Sequence, residues 1–81
     1  MGKVEAMFKN NKRMQIHAMR LLPYVSKDDG AGYAQEMMSE LLDEEAKMDV
    51  IAFYSDAEHP KSFLRCSREF AKDILEILKK N

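Results

Sequence analysis

One cysteine, no tryptophan, three glycines and two prolines in 81 residues leave this chain few of the usual structural devices. Cys66 has no second cysteine for an intrachain disulfide. With only His17 and His59 beside it, the chain lacks the four ligands of a structural zinc site. No apolar run approaches the roughly 18–20 residues that span a bilayer. The opening MGKVEAMFKNNKR has no continuous apolar stretch of the signal-peptide kind, and Ala6 stands where a myristoylation signal wants Ser or Thr. A free thiol without an export signal predicts a cytoplasmic protein with no membrane role.

Chemical motifs are equally scarce. GAG at 30–32 lacks the lysine and the spacing of a phosphate-binding loop, and Asp28 with Asp29 falls short of a calcium loop. Neither histidine is followed by an acidic residue at the three- or four-residue step of a helical metal site. Cys66, with Arg65 and Arg68 nearby, falls on the edge of an apolar seam, where cysteine usually serves as a small hydrophobe. The expectation is a protein that is not an enzyme, with no catalytic residue, cofactor or metal.

What is present is helical pattern. Residues 33–56 are free of Gly and Pro and rich in Ala, Met, Leu, Glu and Lys. Ala34, Met37, Met38, Leu41, Met48, Ile51 and Ala52 recur at helical steps, which predicts one long central helix. Before it, Val4, Met7, Asn11, Met14, Ala18, Leu21 and Val25 form a heptad seam, ended by Pro23. Either Asn11 is a register-setting polar residue in that seam, or Asn10 or Asn11 caps a shorter helix starting near Lys12. SKDDGAG, residues 26–32, reads as the connecting loop, with Ser26 and Asp29 able to cap a short turn. After SDAEHP, where Ser55 and Glu58 fit a capping box, Phe63, Ser67, Phe70, Ile74 and Ile77 mark a last helix. The sequence therefore predicts a single all-α domain over 1–81, a three-helix bundle with helices at about 3–22, 33–56 and 60–79.

Charge is segregated. Residues 1–25 carry five basic side chains against one acidic, residues 26–59 two against ten, and residues 60–81 six against three. An acidic helix between two basic ones favours antiparallel neighbours, a matter of topology more than stability because exposed pairs contribute only about 0–1 kcal/mol each. Seven methionines and several apolar seams exceed what one small bundle covers. This predicts a homodimer or higher oligomer, or a protein partner, with Met7, Asn11, Met14, Met37, Met38 and Phe63 as partner-binding residues.

The favoured function is thus a small regulator or inhibitor acting by protein–protein binding, of a size and plainness common among phage and mobile-element proteins. An alternative is a nucleic-acid-associated regulator using Lys9, Lys12, Arg13 and Arg20, or Lys61, Arg65, Arg68 and Lys72, against which stands a pI near 6.1. A third is an oligomeric binder of a small anionic ligand or nucleotide, with Tyr24, Tyr33 and Tyr54 stacking and Arg13 or Arg20 meeting phosphate. FYSDAEH, residues 53–59, resembles the FYSAADH stretch of the Hha-type expression modulators, small helical proteins that bind a nucleoid protein. The similarity covers seven of 81 residues, the rest of the chain departs from that pattern, and no residue role is carried over.

Overall fold

The last helix is the spine of the molecule. In the computed structural model, which describes residues 2–80, α5 runs Phe63–Lys79 and buries Cys66, Ser67, Phe70, Ala71, Ile74, Leu75 and Ile77 along one side. Before it come α1 (Lys3–Met7), α2 (Lys12–Leu21), a 3-10 turn (Leu22–Tyr24), α3 (Ala31–Leu41) and α4 (Glu44–Tyr54). Helices α3 and α4 pack on the buried side of α5, α2 packs on α4, and α1 reaches both α2 and α5. The all-α class is as expected. The helix count is not: each of the first two predicted helices is broken in two.

The break in the first helix lies at Phe8–Asn11. Lys9 and Asn10 take positive φ (52° and 65°), and the Asn11 side chain accepts a hydrogen bond from the Met14 amide at 3.1 Å. Asn11 is therefore an exposed N-cap, and the heptad seam with Asn11 at a core position does not form. The reason is Phe8, which a continuous helix would carry beside its seam. With the chain turned, its ring is fully buried, edge-on to Phe53 at 5.8 Å and to Phe70 at 5.6 Å. Burying that ring is worth about 1.5–3 kcal/mol. Two aromatic contacts and a cap add about 0.5–1.5 and about 1 kcal/mol apiece. Together they outweigh the roughly 1–2 kcal/mol that each left-handed residue costs.

The predicted helix over 33–56 breaks at Leu42–Asp43. Leu42 is extended and buried, and Asp43 caps α4 by accepting from the Ala46 amide at 2.8 Å. Glu44 and Glu45 follow in the first turn, where carboxylates suit the helix dipole. The apolar stripe read along 33–56 loses its phase here. Ala46 and Val50 are the buried residues of α4, while Met48 is two-thirds exposed and Ala52 also faces solvent.

The remaining boundaries move less. Ser26 and Asp29 do cap a turn, with the Ser26 amide donating to the Asp29 carboxylate at 2.7 Å. The Ser55–Glu58 box does not form. Asp56 accepts the Glu58 and His59 amides instead, and Ser55 Oγ accepts the Lys61 amide. Ser62 then caps α5 through the Arg65 amide, so that helix starts at Phe63 and not at Pro60.

Candidate docking surface

Arg13 and His17 stand one turn apart on α2; Glu45 and Asp49 stand one turn apart on α4. The two rows face each other. Arg13 Nε donates to Asp49 Oδ2 at 2.8 Å, and its Nη2 lies 3.4 Å from Glu45 Oε1. His17 Nε2 meets the same Asp49 oxygen at 2.8 Å. The hydrogen bond from His17, aided by Arg13, holds the Asp49 carboxyl below the usual carboxylate range against the effect of burial. Asp49 in turn raises the Arg13 guanidinium further above its ordinary value. This clamp fixes α2 on α4.

His17 is nine-tenths buried, and its Nδ1 is enclosed without a hydrogen-bond partner. One ring nitrogen is engaged by a carboxylate and the other is out of solvent contact. Through Nε2 the ring ties α2 to α4. His59, at the turn before α5, is exposed beside Asp56. Cys66 is fully buried, near Ser55 Oγ at 3.5 Å, which fits the small-hydrophobe reading.

Above the clamp, Arg13, Ile16, His17, Arg20, Asp43, Glu45 and Ala46 line a cleft of about 210 Å³. Its rim is both apolar and charged. Ile16, on that rim, is half-exposed. Arg20 meets no carboxylate among the described residues. A second, more apolar groove of about 280 Å³ lies between α3 and α5, lined by Gln35, Glu36, Ser39, Phe63, Leu64 and Ser67. There Gln35 donates to the Leu64 carbonyl and to Ser67 Oγ, tying the two helices together.

The six residues expected to bind a partner are scattered. Met14 and Met38 lie inside the core, at 0% and 1% exposure, and offer no surface. Met7 and Met37 are half-buried and packed against that core, and Asn11 is a cap. Phe63 alone borders a groove, its ring under the Lys47 ammonium at 5.7 Å. Ile16 falls off the heptad seam and Met48 falls on the apolar stripe of residues 33–56, so the helical pattern marks neither as exposed, though both are.

Of the residues expected to meet an anionic ligand, Tyr54 and Arg13 are engaged within the fold. Tyr54 is half-buried and donates to Asp73 at 2.6 Å, held in its neutral form by burial and that carboxylate. Tyr24 and Tyr33 are exposed, and Arg13 is engaged by Asp49. Among the described residues no cluster of His, Cys, Asp and Glu is arranged to hold a metal, and no helix is long and apolar enough to cross a membrane. No family model, curated protein or solved structure matches the chain.

Proposed function

We propose that this protein is a small, non-enzymatic, intracellular regulator that acts by binding another protein through the α2–α4 face. The observation that carries this reading is the exposed Ile16 beside an uncommitted Arg20 on a cleft whose wall is held by the Arg13–Asp49 and His17–Asp49 contacts. Apolar anchors beside a directed charge, on a fixed backbone, are what a protein interface needs to bind with little ordering cost. The complementary target is an amphipathic helix with an apolar stripe and an acidic residue placed for Arg20.

The test is a displayed library of helical peptides selected on the immobilised protein, followed by fluorescence anisotropy on the enriched peptides. Apolar–acidic sequences should be enriched. Their affinity should fall at least tenfold for Ile16→Glu with Arg20→Glu. Equal binding to the double variant would remove the face from the proposal. Light scattering over a concentration series distinguishes self-association through this surface from binding of a foreign target.

A further inference from the structure

We propose that the outward face of α5 is a docking strip for the phosphate backbone of a nucleic acid, contacted by Arg65, Arg68, Lys72 and Lys79. This goes beyond the protein-binding reading and shares no residue with the α2–α4 cleft.

The first observation is spacing. Positions 65, 68, 72 and 79 fall on one face of a helix, all four are exposed, and the buried residues of α5 occupy the other side. The row extends about 21 Å along the axis at roughly 1.5 Å per residue.

The second is that the row's charge is not neutralised. Each acidic residue of α5 meets a partner outside the row, although Glu76 and Asp29 line a groove together with Lys72 and Lys79. Glu69 holds Lys61 at 2.9 Å, Glu76 lies 3.9 Å from Lys80, and Asp73 accepts the Tyr54 hydroxyl. Among the described residues none of the four cations in the row meets a carboxylate. Lys61, which the sequence grouped with this basic set, is thereby removed from it, and Lys79 joins.

The third is what surrounds the row. The five acidic residues of α3 and α4 (Glu36, Glu40, Glu44, Glu45 and Asp49) belong to helices that pack on the buried side of α5. A pI near 6.1 thus averages an acidic half and a locally basic strip. Only Leu64, at one edge, adds a large exposed apolar side chain to this helix. A protein partner would need an apolar anchor near the centre of its contact. A linear array of cations without one matches a linear polyanion, and two of its four members are arginines, whose planar groups bind phosphate bidentately.

The experiment is anisotropy of a labelled DNA duplex of about 20 base pairs, titrated with the intact chain across a salt series. Four phosphate contacts predict a slope of log affinity against log salt near −3.6, or about a 150-fold loss between about 50 and 200 mM salt. Arg68→Gln should make the slope shallower by about one, and changing all four residues to Gln should abolish binding. Lys27→Gln, at an exposed lysine in the loop before α3, should leave the slope unchanged. Circular dichroism confirms that each variant is folded. No binding at the lowest salt, or full binding by the fourfold variant, overturns the proposal. So does equal affinity for a polyglutamate of matched charge, which would make the strip a contact for acidic protein.

Discussion

Replacing Phe8 and Asn11 in turn separates the broken first helix from a continuous one. A single helix over 3–22 would carry Asn11 in its apolar seam and Phe8 beside it, so Asn11→Leu would stabilise and Phe8→Ala would be mild. The structure reverses both. Phe8 is fully enclosed between Phe53 and Phe70, and truncating a buried phenylalanine typically costs about 3–5 kcal/mol once the residual cavity is included. A domain of 81 residues has a total stability of about 4–12 kcal/mol. Phe8→Ala should therefore lower the melting temperature by at least about 12 °C, at roughly 4–8 °C per kcal/mol. Asn11→Leu removes the acceptor for the Met14 amide and should cost about 1 kcal/mol, near the value of a lost cap. Thermal and urea unfolding followed by far-UV circular dichroism give both numbers. A Phe8→Ala loss below about 1 kcal/mol together with a stabilised Asn11→Leu would refute the turn at Phe8–Asn11 and the docking of α1.

Met38 and Met48 lie on the same stripe in the sequence but differ in burial; Met38→Ala should cost about 2–5 kcal/mol and Met48→Ala less than about 0.5, read from urea midpoints. The Asp49 carboxyl is held below its ordinary value in the folded state, so its contribution to stability is complete above the unfolded carboxyl range near pH 4 and is lost as pH falls further. Asp49→Asn should therefore be less stable than the parent at pH 7 and lose less on acidification; a parallel pH profile in the variant would contradict the clamp. Asp73 has the opposite sign. Burial raises its carboxyl, so its contribution is present below the unfolded range and declines as pH rises through the folded value; Asp73→Asn should flatten that limb of the stability profile. Cys66 is enclosed, and its alkylation by iodoacetamide should be slow in native buffer and fast in urea, whereas rapid native labelling would put the thiol at the surface.

The sequence by itself determined the helical class, the absence of strand pattern and the identity of α5. That helix is legible because its apolar residues keep one phase for its whole length and burial follows the stripe, from Ser67 through Phe70 and Ile74 to Ile77. The capped turn at Ser26–Asp29 is legible too, because it closes within four residues. Two local signals were present without being decisive. Asn11 favours a cap, and Asp43 with Glu44 and Glu45 makes a good helix start, but helix-forming neighbours mask both.

Tertiary structure decided which signals act. Phe8 and Leu42 reach the core only if the chain turns beside them, and the partners that reward the turn at Phe8 lie at residues 53 and 70. The clamp joins Arg13 and His17 to Asp49 across separations of 36 and 32 residues, which no local period encodes. The free cations of α5 are likewise a tertiary property, since Lys61 and Arg65 look alike in the sequence until Glu69 takes one and leaves the other. A helical period fixes which residues share a face; what lies across from that face is set by how the helices pack against one another.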